Sequence, residues 1–395
     1  MERRRPSSET VVYGPHAVIE PAFADNNIPV FFGCDDKFLP HALTAIASLM
    51  THANPRNNYD LFIVQAGIPR GRMDAATEWI RRYPNARLRF VDIDPMVEEF
   101  GRRYFITTRE YSIAVFFRIF APRIFERYDK VIYLDSDLVL FVDVSELFGI
   151  DLEGNEVGAC HDYVSEHQCK VNPSVREFWR RELDMEPGGS YFCSSELVMD
   201  LKQMRENGSM AAMLEKIRHI RGSKLPDQDV MNATMKNRVK FIGDEWNCMD
   251  WMYDREEEAS GFRLLDAKGL AMVRAARDNA KVLHFAEKKP WTLDYIGKNG
   301  DLYWKYAAET PFYGDLLADL LHECRPWSLF AHGMVITGQE WNFRMRSLFC
   351  SDFKKKQYEF RLHNLRLRRA GLVRQAALVR GLAANGGGEA VAARG

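Results

Sequence analysis

The chain has 395 residues, 46% of them hydrophobic, enough for one large α/β domain or two smaller units with a core. Its net charge is -1, so no overall basic surplus points to nucleic acid. Seven cysteines are scattered and never form a C-x-x-C pattern, which argues against a disulfide framework or structural zinc and predicts a reducing compartment.

Residues 1–27 show no helical or strand period and include Pro6, Pro15 and Pro21, which predicts an irregular arm outside the fold. The first six residues are basic with no apolar stretch behind them, and no run approaches the ~18 apolar residues that span a bilayer. A cytoplasmic protein is expected. From Ile28 to Phe32 an apolar run ending at Gly33 reads as a strand, and residues 39–50 carry apolar side chains at helical spacing. The alternation continues with a strand at 60–64, a helix at 72–83 and a strand at 88–91, which predicts an α/β fold with a mostly parallel sheet under covering helices. Residues 112–125 read as an apolar helix carrying Arg118, and 130–134 as a strand that stops at Asp135-Ser136-Asp137. Beyond Asp143 the pattern loosens to a strand at 156–161, a helix at 201–219, a helix starting at Asp227 and a strand at 281–285. This half is expected to cap a cleft.

In open α/β sheets ligands bind beyond the carboxyl ends of the strands, where both Gly33-Cys34-Asp35-Asp36 and Asp135-Ser136-Asp137 fall. Two carboxylates one residue apart suit a hard divalent cation that completes its shell with substrate phosphates; the same spacing also begins ordinary turns. His284 closes the apolar strand at 281–283 and is followed by Lys288, Lys289, Pro290 and Trp291. One imidazole with two carboxylates suits Mn2+, or Mg2+, and the lysines suit phosphate oxygens. A histidine after a strand is equally an ordinary hydrogen-bonded side chain.

Several ordered motifs between residues 28 and 291 resemble glycosyltransferase family 8, which includes bacterial lipopolysaccharide glucosyl- and galactosyltransferases and glycogenin. They are Ile28-Pro-Val-Phe-Phe-Gly-Cys-Asp-Asp36, Phe116-Phe-Arg-Ile119, Lys130-Val-Ile-Tyr-Leu-Asp-Ser-Asp137, Asp162, Leu225-Pro-Asp-Gln-Asp-Val-Met-Asn232, Trp246-Asn247 and His284-Phe-Ala-Glu-Lys-Lys-Pro-Trp291. The resemblance implies a GT-A type, Rossmann-like domain over residues 28–300 and retaining transfer of glucose or galactose from a UDP-sugar to a saccharide or lipid-linked acceptor. It implies that Asp135, Asp137 and His284 hold Mn2+ and that Asp35 accepts from the uracil ring. Arg118 would meet the donor's sugar, Lys289 its diphosphate, and Ser136 would line the same nucleotide site. Asp162 and Asp227 would hydrogen-bond the hexose, with Gln228 beneath its anomeric carbon. The chain departs from the family pattern at Cys193-Ser194-Ser195, at Lys37, where a polar asparagine often meets the nucleotide, and in a His284 to Lys289 spacing one residue short, so that Lys288 can share the phosphate role. A non-catalytic UDP-sugar-binding scaffold and a glycogenin-like self-glucosylating enzyme are the rival readings.

Residues 301–340 are expected to form a helical extension, 341–384 a basic amphipathic helix and 385–395 a disordered end. Between Arg344 and Arg380 stand eleven Lys or Arg against two acids, a net +9. Tyr358, Leu362, Leu365, Leu372, Ala376 and Val379 place an apolar stripe on one helix face. Such a helix either lies on an anionic membrane surface, beside a lipid-linked acceptor, or packs its stripe against protein. No nucleic-acid reading module is present.

Overall fold

The computed structural model describes residues 10–14, 17–105, 107, 112–188, 190–253, 265–286, 289–292, 295 and 297–323, the last three by backbone alone. Lys288 and the basic segment at 341–384 lie outside the described residues. The chain divides into two compact units, one of residues 1–248 with 264–284, the other of residues 249–263 with 285–395.

The first unit opens with β1 (Val12–Tyr13), β2 (Asn27–Asp35), α1 (Leu39–Thr51), β3 (Asn58–Ala66), α2 (Arg70–Ile80), β4 (Ala86–Asp92) and α3 (Asp94–Phe100). β2 and β3 are near-continuous apolar runs, the signature of parallel strands covered on both faces. Pro40 starts α1 without sacrificing a backbone hydrogen bond, and every residue of that helix from Leu39 to Met50 is buried. There follow α4 (Ala121–Ile124), β5 (Lys130–Leu134), β6 (Leu138–Leu140), α5 (Ser145–Phe148), β7 (Val157–Ala159), α6 (Tyr163–Val171), α7 (Pro173–Phe178) and β8 (Glu196–Asp200). The unit closes with α8 (Leu201–Glu206), α9 (Ser209–His219), α10 (Pro226–Met235), β9 (Val239–Phe241), β10 (Cys248–Met249, which runs into the second unit), α11 (Ala267–Asp278) and β11 (Val282–His284).

The main sheet has eight strands in the order β1-β4-β3-β2-β5-β8-β7-β9. Pairing is parallel from β1 through to β5, antiparallel on both sides of β8, and parallel again between β7 and β9. The mostly parallel α/β sheet expected from the sequence is therefore present, with one reversed strand, β8, inserted beside β5.

Three local expectations are corrected. Part of the arm at 1–27 belongs to the fold: β1 pairs with β4, and Arg89 of β4 donates to the Glu20 carbonyl and the Tyr13 hydroxyl. Arg89 is itself paired in the core with Asp60, whose carboxylate also accepts from the Ala22 amide, so buried polar groups that need partners draw the arm in. Residues 112–125 do not form one α-helix. The Ser112 hydroxyl caps a 3-10 helix over Ile113–Phe120, and α4 begins only at Ala121, with Pro122 in its first turn. This tight segment lies so close to β2 that a Cβ on Gly33 would stand 3.0 Å from the Ala114 carbonyl oxygen. The helix expected at 201–219 is two, broken at Gly208, whose φ of 64° belongs to the left-handed region that glycine enters without strain.

In the second unit α12 (Gly300–Ala307) and α13 (Tyr313–Glu323) follow an aromatic cluster. Tyr303 packs against Trp291 at 4.9 Å and Phe285 at 6.1 Å, ring centre to ring centre. Asp250 accepts from the Tyr295 hydroxyl at 2.9 Å and the Asn299 amide at 2.8 Å. Among the described residues no helix is long and apolar enough to cross a membrane.

Candidate active site

Strand pairing alone assembles the acidic centre. β2 and β5 run parallel with Phe31 opposite Tyr133, so Asp35 and Asp135 both lie toward the carboxyl edge of the sheet. After Asp135 the chain turns into β6, which pairs antiparallel with β11 so that Leu138 faces His284. Asp137 precedes Leu138, and the histidine is thus delivered beside it. Ligand-type atoms of Asp135, Asp137 and His284 all lie within 4.8 Å of one another. His284 Nε2 stands 3.5 Å from Asp137 Oδ1, while Nδ1 lies 3.0 Å from Asn247 Oδ1. Nδ1 is therefore the protonated nitrogen when the ring is neutral, and the Nε2 lone pair faces the carboxylates.

Arg118 binds the centre together. Its Nη2 donates to Asp135 Oδ1 at 2.8 Å, its Nε lies 3.3 Å from Asp227 Oδ2, and its Nη1 donates to the Ser194 carbonyl. The guanidinium also sits over the Tyr133 ring at 4.0 Å, and the Tyr133 hydroxyl donates to Asp135 Oδ1 at 2.5 Å. With Oδ1 so engaged, Oδ2 is the oxygen of Asp135 left for a cation. A surface placement for Arg118 is excluded, since it is 3% exposed.

Asp162, Asp227 and Gln228 meet in a second cluster. Gln228 Nε2 donates to Asp162 Oδ2 at 2.9 Å, and Gln228 Oε1 accepts from the Ser194 amide at 3.0 Å. The Ser194 hydroxyl donates to Asp227 Oδ2 at 3.1 Å. Asp162 also caps α6, accepting from the amide and hydroxyl of Ser165, so it is both a helix cap and a member of the cluster. α10 begins at Pro226, and its neighbouring side chains diverge: Asp229 turns away to the hydroxyls of Tyr191 and Ser223.

The remaining candidates are placed less centrally. Asp35 is half-buried and its Oδ1 accepts from the Phe38 amide, whereas Lys37 is exposed in the same turn. Ser136 is buried, and its hydroxyl makes no hydrogen bond among the described residues. Lys289 belongs to the second unit, where its ammonium donates to the carbonyls of Phe285 and Ala286.

Two residues at this centre escaped the sequence reading. Tyr133 looked like an ordinary strand residue. Glu196 is 1% exposed, and its Oε1 lies 3.9 Å from His284 Nδ1. A carboxylate opening the apolar stretch Glu196-Leu-Val-Met199 was the available signal.

Burial dominates the electrostatics. It pushes Asp135 above the usual carboxylate range, against the pull of Arg118 and with the help of Asp137. It lifts Glu196 to about 8, although His284 and the Ser195 hydroxyl oppose this. For His284 burial favours the neutral ring, but Asp137, Glu196 and Asp135 outweigh it and raise the pKa. Burial also raises the Cys193 thiol, beside Asp162 and Glu196, and so keeps it protonated. The neighbouring acids add to this effect of burial at Asp135 and Glu196.

The sequence profile of Glycosyl transferase family 8 matches residues 29–294. General stress protein A of Bacillus subtilis is 22% identical over 70% of this chain and 91% of its own length. The lipopolysaccharide 1,2-glucosyltransferase of Escherichia coli K12 is 33% identical over 36% of this chain and 40% of its own. Among solved structures, the bifunctional glycosyltransferase WbbM in its apo form superposes with a TM-score of 0.67 at 26% identity, covering 77% of this chain and 53% of that one. The galactosyltransferase LgtC, in complex with donor and acceptor sugar analogues, shares the fold with a TM-score of 0.56 at 22% identity over 72% of this chain and 96% of LgtC. The chain thus spans nearly all of some relatives and about half of WbbM. Its GT-A fold, its ordered strand-end motifs and the profile match agree that this glycosyltransferase belongs to glycosyl transferase family 8.

Proposed function

We propose that the chain transfers glucose or galactose from a UDP-sugar to a saccharide or lipid-linked acceptor in cell-surface glycan synthesis, with Mn2+ (or Mg2+) and with retention of configuration. The observation that carries this reading is the convergence of Asp135, Asp137 and His284 at the carboxyl edge of the sheet. Two carboxylates and an imidazole fit a hard or borderline cation, and the buried Ser136 hydroxyl between the two aspartates has no hydrogen bond among the described residues. When bound, the cation serves as a Lewis acid toward the departing UDP. The rest falls to the chain. Arg118 and Tyr133 fix Asp135, and Asp35 accepts from uracil with Lys37 nearby.

Asp162 and Asp227 hold the hexose, and Gln228 lies beneath its anomeric carbon. A double displacement requires a nucleophilic carboxylate at that place. Gln228 is neutral, Asp227 is engaged by Arg118 and Ser194, and Asp229 is turned to Tyr191 and Ser223. This supports attack on the same face: the acceptor oxygen bonds to the anomeric carbon as the bond to UDP breaks, and the hydroxyl proton passes to a phosphate oxygen. Glucosyl and galactosyl donors are favoured because two relatives are a lipopolysaccharide 1,2-glucosyltransferase and a galactosyltransferase. The basic segment at 341–384 holds the enzyme on the inner face of an anionic membrane.

Release of UDP from a panel of UDP-sugars, with EDTA or with Mn2+, tests donor and metal together, and proton NMR of the product gives its anomeric coupling. Metal-independent release, or a β-linked product from an α-configured donor, overturns the reading. Removal of residues 341–395 is expected to spare UDP-sugar hydrolysis and impair transfer to a vesicle-embedded acceptor, and vesicle binding by the full chain should weaken with salt.

A further inference from the structure

Glu196 occupies a costly position. Strand β8 pairs antiparallel with β5, setting Glu196 opposite Leu134 and directing the Asp135 amide to the Ser195 carbonyl at 2.8 Å. The pairing drives a carboxylate into the protein behind the acidic centre. Its Oε2 accepts from the Ser195 hydroxyl at 2.6 Å, but no cation is paired with it at hydrogen-bond distance among the described residues. Among the described residues Oε1 makes no hydrogen bond, and it faces His284 Nδ1 at 3.9 Å. Across the same ring edge Asn247 offers Oδ1 to Nδ1 at 3.0 Å, while its Nδ2 is a buried donor without a partner among the described residues. One unsatisfied acceptor and one unsatisfied donor thus flank the Nδ1 edge of a single imidazole. Burying a carboxylate without a close counter-charge works against folding, and an apolar side chain of similar size would fill the place at lower cost.

We propose that Glu196 is a positioning residue for the metal centre, resting on the reading that Asp135, Asp137 and His284 bind a divalent cation. With Asn247 it presents oxygen acceptors to the Nδ1 edge of His284, which fixes the proton on Nδ1, holds the ring plane and leaves Nε2 facing Asp135 and Asp137. Partners on the far nitrogen of a ligating histidine commonly change metal affinity 10- to 100-fold. The fold therefore retains a destabilising carboxylate because it improves metal capture.

The test compares the full chain with Glu196→Leu, Glu196→Gln and, as a reference for ligand loss, His284→Ala. Mn2+ affinity is read from the EPR signal of free Mn2+, and folding from thermal denaturation in EDTA. Glu196→Leu should leave the metal-free midpoint unchanged or higher while weakening Mn2+ binding about 10-fold or more. Glu196→Gln, which keeps an oxygen acceptor and loses the charge, should fall between it and the wild type. Unchanged Mn2+ affinity in Glu196→Leu, with wild-type binding intact and His284→Ala deficient, overturns this proposal and leaves the metal site standing. A lower metal-free midpoint with unchanged affinity also overturns it, by making Glu196 a residue of the fold alone. Absence of Mn2+ binding by the wild type removes the metal reading and this inference with it.

Discussion

Arg118 donates to Asp135 at 2.8 Å from a guanidinium that is 3% exposed, so a carboxylate assigned to a cation already has a permanent positive partner. Asp227 shares that partner at 3.3 Å. Arg118→Met should leave two acids facing each other without compensation and cost about 3–5 kcal/mol of stability, as breaking buried ion pairs does. Arg118→Lys keeps the charge but cannot span Asp135, Asp227 and the Ser194 carbonyl, so kcat/KM should fall at least about 100-fold with a smaller loss of stability. Urea denaturation of both variants checks the first claim and steady-state UDP release the second.

Asp137→Asn removes a charge from a crowded acidic centre, so it should not destabilise the metal-free protein. Its thermal midpoint in EDTA is expected to equal or exceed that of the wild type. Mn2+ affinity should drop about 100-fold or more, since a direct ligand matters at least as much as its outer partners. Transfer near the wild-type rate at moderate Mn2+ would refute the assignment of Asp137.

Asp135, Glu196 and His284 all hold protons more tightly in the folded chain than in the unfolded one. Their contribution to stability is greatest in acid and declines as pH rises, for Glu196 between its ordinary 4.5 and about 8. A bound cation replaces those protons. The rise in melting temperature produced by Mn2+ should therefore be larger at about pH 8 than at about pH 6. Equal shifts at the two pH values, measured by calorimetry, would contradict this.

Gly33→Ala should cost about 1–3 kcal/mol, because the added methyl meets a backbone carbonyl at 3.0 Å that has no rotamer to yield. The contact pushes on Ala114, four residues before Arg118, so activity should fall further than stability alone explains. Chemical denaturation and single-turnover transfer, measured on the same preparation, separate the two effects.

The candidate metal cluster was legible because its residues follow strands that announce themselves: the apolar runs ending at 134 and 283 stop at Asp135 and His284. The parallel half of the sheet was legible for the same reason. The sequence did not reveal β8 as the reversed neighbour of β5, since antiparallel insertion leaves no local mark, and with it went Glu196 and the placement of Ser194. The 3-10 form of Ile113–Phe120 was hidden because an almost wholly apolar segment has no periodicity to read. Gly208 was visible, but an isolated glycine inside a helical pattern is tolerated at a cost of about 1 kcal/mol and does not by itself mark a break. The divergence of Asp227 and Asp229 follows directly from helical geometry once α10 is seen to start at Pro226.

Arg89 donates to Asp60, to the Tyr128 and Tyr13 hydroxyls and to the Glu20 carbonyl, so residues ahead of β2 complete a polar cluster beneath the sheet. The family profile, by contrast, begins at residue 29. A recombinant fragment cut at that border would carry every assigned active-site residue yet strip the Tyr13 and Glu20 acceptors from a buried guanidinium. Each lost partner costs about 1–3 kcal/mol. Poor yield or aggregation of such a fragment would thus report a trimmed foundation, and cloning borders for this enzyme belong ahead of Val12.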